Sequence, residues 1–579
     1  MAARLTTFVV VGIVAATLIA GLIVGAQRDD TGGPIDLIIH NARAYTADAD
    51  GSIAEALAIR GSQIVRVGTD RDVLRLRRPQ TDVIDARGAA VVPGFNDAHA
   101  HLIRGGLALD NLDLSGETSL EATQERIRSW AAANPDRPWV LGRGWNYQLF
   151  TGGLPTRQML DGLLPDRPAL IVSYDGQTAW VNTAALRIAG ITKRSVEPAA
   201  GVIVKDARTG EPTGVLKGAA IALVERLAPA PAVDDRARAL RSAIKEAQRH
   251  GVTSVQVPGV SIEDLELYDE AARSRELQVR VYAALSVPGV IDDGALDRLE
   301  SLKKKYADSP LFKSGALKIA LDGVIEAHTA ALLAPYANRA DAGSPAIGAD
   351  DLNRFARLAD ARGWQILTHA AGDRAVRMAL DAYAHAARSN GGPTRGRRHR
   401  IEHVETSAAP DLSRFGALGV IASMQPFHAS PAAARLGVWT RNLGEDRAST
   451  GWPYRAISAA GGRLAFGSDW PTASMNPMLG IHAAVNRASR PGEGKAGWTR
   501  AQRSALEMAI AAYTSGSAWA SFDEQRKGTL EPGMLADVVI LSGNVFDGPI
   551  GPADLLTTRA AVTIFDGKVV YRRERMGTN

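Results

Sequence analysis

Two histidines separated by one residue are the first residues in this sequence whose types and spacing could do chemistry. His99 and His101 follow the apolar pair Val91-Val92 and the dipeptide Pro93-Gly94, a pattern that favours a strand. Successive side chains of a strand alternate between faces, so the two imidazoles would point the same way. They could bind a metal together, although two histidines on a loop or in a satisfied core would show the same pattern.

Four more residues of this kind stand in or after apolar runs downstream. They are Lys318, His369, His403 and Asp469. His369 could instead start a helix, His403 could be a core histidine bonded to the backbone, and Asp469 could cap a helix. Lys318 is harder to explain, because a buried ammonium is costly unless it is paired or chemically altered.

The other histidines fall into two classes. Two lie near predicted strand ends and stay undecided, namely His328 and His428. The rest lack that context and are interpreted as structural or exposed: His40, His250, His385, His399 and His482.

The composition is that of an ordinary globular protein, and the sequence contains no cysteine. The chain has 579 residues, which exceeds one average domain, although α/β barrels run past about 200–250 residues as one unit. A net charge of +5 is too slight for a dedicated nucleic-acid binder. Because there is no cysteine, disulfides, thiolate ligands and cysteine nucleophiles are excluded. Any metal site must therefore use nitrogen and oxygen ligands.

The first 30 residues differ from the rest. No charged residue occurs from Leu5 to Ala26, and this run follows Arg4 and precedes an acidic pair. A run of about 20 apolar residues can span a bilayer, yet small residues at its end would also suit a peptidase. We predict that residues 1–30 are a signal peptide or membrane anchor. The protein would face outward on the cytoplasmic membrane if the segment is uncleaved, or be periplasmic or secreted if it is cleaved.

Both ends of the remaining chain carry short strand patterns. In residues 35–92, short stretches of alternating apolar and polar side chains are separated by Gly and Asp. Residues 523–579 show the same pattern. Neither piece has enough strands to bury a core alone. We expect both to form one composite β-sandwich that is discontinuous in sequence.

Between these pieces, residues 93–522 alternate strand-like runs with helical stretches rich in alanine, leucine and arginine. This alternation favours an α/β fold, either a parallel barrel or a doubly wound sheet. In a barrel the carboxyl ends of the strands meet at one face, where the polar residues described above would converge. A doubly wound sheet would not gather them around one point, so we predict a (β/α)8 TIM barrel.

The order His-x-His, Lys, His, His, Asp resembles the amidohydrolase superfamily, specifically the amidohydrolase family 3 branch with N-substituted formamide deformylase-like enzymes. The resemblance covers about residues 36–571. Further ordered motifs that carry it lie at residues 93–101, 175–182, 212–216, 321–324, 372–375, 423–426 and 467–471. It implies a (β/α)8 barrel with a β-sandwich formed by both chain ends, which agrees with the layout predicted above.

The resemblance also implies a role for each candidate ligand. His99 and His101 would bind the more buried metal, and His369 and His403 the second. Lys318 would be carboxylated by carbon dioxide and bridge the two metals. Among divalent metals, zinc is the expected ion, with one or two per chain, and manganese, iron or nickel stay open.

Asp469 would contact the first metal and carry the proton in the implied reaction. A divalent metal lowers the pKa of bound water from about 15.7 to near 7, and the resulting hydroxide can attack a carbonyl carbon. Because an amide nitrogen leaves poorly unless it is protonated, Asp469 would pass the proton to it. We predict hydrolysis of a non-peptide amide, such as an N-acyl or N-formyl amine. The alternatives are an ester or cyclic-amide hydrolase with the same site, and a catalytically silent, membrane-tethered binding or regulatory protein.

Loops above the barrel should select the substrate. The candidate pocket residues are mostly aromatic: Trp145, Asn146, Tyr174, Gln177, Trp180, His328, Phe427 and Trp470. They predict a small amide with an apolar or aromatic group, while plain packing is the alternative for Trp145 and Trp180. Gln177 and His328 depart from the family pattern, which has histidine and arginine there, so the exact substrate stays open. The oligomeric state, including a homo-oligomer, also stays open.

Overall fold

The computed structural model describes residues 33–174, 176, 178–198, 201–287, 291–307, 309–393, 395–430, 435–487, 499–547 and 552–574. The predicted signal peptide or anchor at residues 1–30 lies outside these ranges, as does Gln177. Export therefore stays a prediction. Within the ranges given, no helix combines the length and the apolar character needed to cross a bilayer.

Eight parallel strands form the central sheet in chain order. They are Phe95–Asp97, Val252–Val260, Arg280–Ser286, Phe312–Ala320, Gln365–Ala370, Arg400–His403, Ile421–Met424 and Arg463–Phe466. Beyond the first strand, Ala98 N donates to Phe466 O at 3.0 Å and His101 N donates to Trp470 O at 2.8 Å. These bonds bring the first and last strands together. The sheet is a nearly closed parallel barrel, as the alternating pattern predicted.

Helices lie between these strands, and others lie before the first strand or after the last one. Their bounds are Asp70–Leu74, Leu102–Leu109, Leu120–Ala133, Arg157–Asp161, Thr183–Ile188, Ala222–Glu225, Val233–Arg249, Ile262–Arg273, Asp293–Lys305, Ala349–Ala361, Asp373–Ser389, Ala409–Leu418, Arg435–Leu443, Glu445–Ala448, Tyr454–Ala459, Pro477–Asn486, Leu506–Ala512, Ser515–Ala520 and Pro552–Thr557. Val233–Arg249 shows why they form, because its buried residues recur at helical spacing: Ala239, Leu240, Ala243, Ile244 and Ala247.

A second sheet, which was not predicted, lies between the first and second barrel strands in sequence. Its strands in spatial order are Gly201–Lys205, Pro212–Gly218, Thr178–Val181, Ala169–Ser173, Val140–Trp145 and Leu112–Asp113. Its core contains Trp145, Phe150 and Trp180, whose rings meet edge to face. The range 93–522, predicted as one barrel, thus includes a separate six-stranded sheet.

The two chain ends form two further sheets, and the second of them contains strands from both ends. One contains Gln63–Gly68, Ala56–Arg60, Leu37–His40 and Asp82–Asp85. The other contains Lys568–Arg572, Ala560–Phe565, Val538–Leu541, Ala90–Pro93, Arg43–Tyr45 and Ile53–Ala54. The two sheets share an apolar core that includes Ile39, Ile59, Val91 and Ile564. The chain ends therefore bury their apolar faces together, while the composite β-sandwich of residues 35–92 and 523–579 stays a prediction.

A buried arginine joins the barrel to the C-terminal strands. Arg280, at the start of the third barrel strand, donates Nε to Asp537 Oδ2 at 2.7 Å and Nη2 to Asp537 Oδ1 at 2.9 Å. Nη2 also donates to Asp566 Oδ1 at 2.8 Å, and the arginine is 5% exposed. This contact lies at the amino-terminal end of the strand, away from the carboxyl ends where barrels carry their sites.

Candidate metal centre

The loop after the first barrel strand brings His99 and His101 to Asp469. Asp97 ends that strand and accepts hydrogen bonds from His99 N at 3.0 Å and from Ser468 N at 2.9 Å and Oγ at 2.5 Å. These bonds tie the loop after the first strand to the loop after the eighth. As a result, the Nε2 atoms of His99 and His101 lie 3.6 Å and 3.3 Å from Asp469 Oδ1.

Asp469 lies between two groups of histidines. Its Oδ1 faces His99 and His101, and its Oδ2 is 3.8 Å from His428 Nε2. The ligand atoms of His99, His101 and Asp469 lie within 4.8 Å of one another, and the same holds for His403, His428 and Asp469. Nitrogen donors from histidine with a carboxylate oxygen are a donor set that suits zinc and similar divalent ions.

The backbone at the end of the sixth strand turns His403 into this site. The φ angle is 77° at His403 and 46° at Val404, which is a left-handed conformation that side chains disfavour. The His403 ring centroid lies 4.3 Å from that of His369 and 5.0 Å from that of His99. Asp469 also has a left-handed backbone, with φ 58°. The fold thus holds two of the predicted ligands in strained conformations.

His369 lies one residue before the end of the fifth barrel strand, beside His403. Its Nε2 is 3.1 Å from Gly323 O, and a neutral imidazole that donates from Nε2 keeps Nδ1 free of hydrogen. Burial lowers the pKa of His369 to about 4 and also lowers the pKa values of His99 and His403. These rings are therefore neutral at pH 7, the state in which histidine binds metals. His369 does not belong to either group of three donors, but it adjoins the second.

Lys318 reaches the same region from the fourth barrel strand. Its Nζ is buried and has no hydrogen-bond partner among the described residues. Burial lowers its pKa to about 8, against the opposing charges of Glu402 and Asp469. A buried amine without a partner is unfavourable unless another group neutralises it. A buried amine without a hydrogen-bond partner beside these histidines is consistent with a site that binds further charged groups.

The predicted pocket residues do not form one group. Trp145 and Trp180 are fully buried in the core of the six-stranded inserted sheet. Their indole N–H groups donate to Ile171 O at 2.8 Å and to Thr156 O at 2.9 Å. Both tryptophans therefore pack inside the insert, which was the alternative to a pocket role, and neither offers a face to a ligand.

Asn146 and Tyr174 also take part in local contacts of the insert. Asn146 Oδ1 accepts a hydrogen bond from Gln148 N at 3.0 Å at the start of a short 3-10 helix. The Tyr174 ring lies edge-on to Tyr147, with centroids 5.9 Å apart. Gln177, which was also predicted to line the pocket, lies outside the described ranges.

The three remaining pocket candidates lie at the barrel. His328 has a left-handed backbone, with φ 60°, and its Nε2 is 3.0 Å from Asn338 Oδ1. Phe427 is half-buried in the 3-10 turn Pro426–Ala429 after the seventh strand. Trp470 is buried, and its carbonyl accepts the hydrogen bond from His101 N. Phe427 and Trp470 therefore adjoin the histidine and aspartate cluster in sequence and in space.

A cavity of about 380 Å³ opens beside His101 and Lys318. Its aliphatic lining residues are Ile103, Val257, Val260, Val287 and Ile319, and charge is added by Arg104 and Asp264. None of the predicted pocket residues that the structure describes lines this cavity. Aliphatic side chains at strand ends look like ordinary core residues, so no sequence signal distinguished them.

Sequence reasoning missed Glu402 and left His428 undecided. His428 follows the seventh strand, so its position near a strand end was the available signal. Glu402 directly precedes His403, and strand alternation would send the two side chains to opposite faces. Glu402 and His403 nevertheless both lie next to His99, because the backbone is left-handed at His403.

Comparison with known proteins places the chain in a family. A model described as the amidohydrolase family matches residues 82–571. Protein LONG AFTER FAR-RED 3 of Arabidopsis thaliana is 33% identical over 88% of this chain and 88% of that protein. N-substituted formamide deformylase of Arthrobacter pascens is 28% identical over 94% of this chain and 99% of that protein. An uncharacterized metal-dependent hydrolase from Pyrococcus furiosus has a crystal structure with a TM-score of 0.69 and 26% identity, covering 87% of this chain and 98% of that one. The chain therefore belongs to the amidohydrolase family and is a metal-dependent hydrolase of carbon–nitrogen bonds other than peptide bonds.

Proposed function

We propose that this protein hydrolyses an N-acyl or N-formyl amine with the help of a divalent metal, zinc first among the candidates. His99, His101 and Asp469 would hold one ion, and His403 and His428 would hold a second with the same aspartate. The observation that supports this most is the convergence of two histidine groups on the two oxygens of Asp469. The similarity to an N-substituted formamide deformylase favours an amide over an ester or a cyclic amide.

Asp469 would move the proton in this reaction. A bound divalent metal supplies Lewis acidity and lowers the pKa of water to near 7. Burial raises the pKa of Asp469, but the hydrogen bond from His101 and the neighbouring histidines hold it well below the usual value. The carboxylate is therefore ionised at neutral pH and can accept the proton of the attacking water. Asp469 then donates that proton to the leaving nitrogen, without which an amine is a poor leaving group.

Lys318 is proposed to carry a carboxyl group derived from carbon dioxide. The pKa of about 8 leaves part of the amine unprotonated at neutral pH. The nitrogen lone pair would attack the carbon of carbon dioxide, forming a nitrogen–carbon bond and releasing one proton. The product is an anion, so it removes the unpaired cation from the buried site and adds oxygen donors. His369, next to the second donor group, would then share that side of the site with the modified lysine.

Metal removal and reloading test the proposed function. The protein is stripped with a chelator, reloaded with zinc in the presence or absence of bicarbonate, and assayed for metal content and for hydrolysis of a panel of N-formyl and N-acyl amines. We expect at least one zinc per chain, activity that disappears and returns with the metal, and a higher zinc content with bicarbonate. Lys318→Met should abolish the bicarbonate effect. A reloaded protein with less than one zinc per chain, or a panel in which only the matched esters react, would contradict the proposal.

The aliphatic cavity is proposed to hold the apolar substituent of the amide, because it adjoins both His101 and Lys318. Val260→Phe should fill part of it and lower kcat/KM by at least about tenfold for bulky N-acyl amines, since small size differences in an apolar pocket are worth about 1–3 kcal/mol. The same change should affect an N-formyl amine much less. Val260→Ala, the matched control, should leave the N-formyl amine unaffected and tolerate larger acyl groups. An equal loss for both substrates in Val260→Phe would show that the cavity does not select them.

A further inference from the structure

His99 is held from behind by a buried carboxylate. Its Nδ1 lies 2.7 Å from Glu402 Oε2, and the two side chains are 2% and 0% exposed. Arg400 forms a buried ion pair with the same carboxylate, with Nε 2.9 Å from Glu402 Oε1, so the carboxylate is ionised. An ionised carboxylate only accepts hydrogen bonds, which means that Nδ1 carries the hydrogen. Nε2, the nitrogen without hydrogen, is therefore the one that faces Asp469.

A fully buried arginine fixes that carboxylate. Arg400 donates Nε to Glu402 Oε1 at 2.9 Å and Nη2 to Glu402 Oε2 at 3.1 Å. The same guanidinium donates to Ala98 O at 2.6 Å, to Ser423 Oγ at 2.8 Å and to Gln256 Oε1. These partners lie on or beside the first, second, sixth and seventh barrel strands. The carboxylate behind His99 is thus braced by a network that crosses the barrel interior.

We propose that Glu402 is a positioning residue of the metal centre, which sets the tautomer and ring orientation of His99 so that Nε2 is presented to the ion. This inference rests on the proposed metal-dependent function. A carboxylate that accepts the second N–H of a metal-binding histidine raises the basicity of the ligand, and its removal typically costs about 10–100-fold in metal affinity. Glu402 would act through His99 and not touch the substrate.

The competing explanation is that Glu402 only neutralises Arg400. The two explanations differ in what the rest of the network does. Ser423→Ala removes a different partner of Arg400 and leaves the contact between Glu402 and His99 in place. If the network is purely structural, changes at Glu402 and Ser423 alter stability and spare metal binding. If Glu402 positions His99, only the changes at Glu402 weaken metal binding.

The test measures the zinc affinity of the full chain by competition with a chromophoric chelator, together with the melting temperature of the metal-free protein. We expect Glu402→Gln and Glu402→Asp to bind zinc about 10–100-fold more weakly than the wild type. Ser423→Ala should change the melting temperature and keep wild-type zinc affinity. A folded Glu402→Gln variant with wild-type zinc affinity would overturn the inference. A wild-type protein that binds no zinc would instead overturn the proposed function.

A measurement on the unsubstituted protein covers the case in which the Glu402 variants do not fold. In metal-free protein labelled with 15N-histidine, the nitrogen shifts report which ring nitrogen of each histidine carries the hydrogen. The resonance that disappears in His99→Asn identifies His99. We expect the Nδ1–H tautomer with a slowly exchanging proton, and an Nε2–H tautomer for His99 would refute the proposed positioning role.

Discussion

Replacing Asp469 by asparagine is expected to lower kcat by about 10²–10⁴-fold, the usual contribution of a positioned acid or base. Asparagine has nearly the shape of aspartate and tolerates the left-handed backbone at this position, where φ is 58°. The amide cannot accept the proton of water or return it to a leaving nitrogen. The measurement is kcat and kcat/KM on an amide identified in the screen, at zinc concentrations that saturate both proteins, so that weaker metal binding does not mimic lost proton transfer.

Asp373 provides the matched control for this substitution. It lies at the start of Asp373–Ser389, where its Oδ1 accepts a hydrogen bond from Leu333 N at 2.8 Å. Asp373→Asn should therefore keep kcat within about twofold of the wild type, since it touches no group of the metal centre. An Asp469→Asn enzyme as active as the wild type would rule out the proposed proton transfer. A wild type that binds zinc but hydrolyses no member of the panel would contradict the proposed N-acyl or N-formyl amine substrate.

The largest expected loss of stability follows from Arg280→Ala. Arg280 is 5% exposed and pairs with both Asp537 and Asp566, so its removal leaves the carboxylate of Asp537 buried and uncompensated. Breaking a buried ion pair in this way costs about 3–5 kcal/mol. Denaturant titration of the metal-free protein should show this loss in the free energy of unfolding. Zinc affinity of the folded fraction should stay unchanged, because the pair lies at the opposite end of the third barrel strand from the metal centre.

An exposed ion pair between the N-terminal strand Arg43–Tyr45 and the C-terminal part of the chain serves as the control. Arg43 and Asp547 are 40% and 54% exposed. Solvent screens such pairs, and Arg43→Ala should cost less than about 1 kcal/mol. Equal losses in Arg43→Ala and Arg280→Ala would mean that the buried network does not hold the chain ends to the barrel.

The barrel could be predicted because its signals are local. Many of its strands contain short apolar runs, and helices such as Val233–Arg249 repeat apolar residues at helical spacing. The inserted sheet between the first and second barrel strands has the same period-two pattern as any other strands. Only pairing between residues far apart, such as Thr178–Val181 with Pro212–Gly218, separates it from the barrel. Periodicity carries no information on that pairing.

The candidate site was predictable to the extent that it depends on strand ends. His99, His101, His403 and Asp469 come together because the carboxyl ends of barrel strands meet at one face. Glu402 could not be placed, because strand alternation assigns it to the face opposite His403 and a left-handed backbone overrides that rule.

The cavity beside His101 and Lys318 could not be predicted from the sequence either. Its shape depends on how residues from three strands and two helices meet in space, and residue types alone do not show that. The predicted pocket consisted mostly of aromatic residues instead. Trp145 and Trp180 proved to be the core of the insert, where large rings are common for reasons of packing alone.

The pairing of Ala90–Pro93 with Val538–Leu541 sets an order of events during synthesis. The ribosome produces the first of these strands hundreds of residues before the second. Until then, one edge of Ala90–Pro93 lacks its C-terminal partner, and an unpaired apolar edge recruits other chains. A chain released before Val538 could complete the barrel and the metal ligands through Asp469, yet would keep this edge open. This edge is therefore covered only by the last few dozen residues, which are made after every candidate metal ligand.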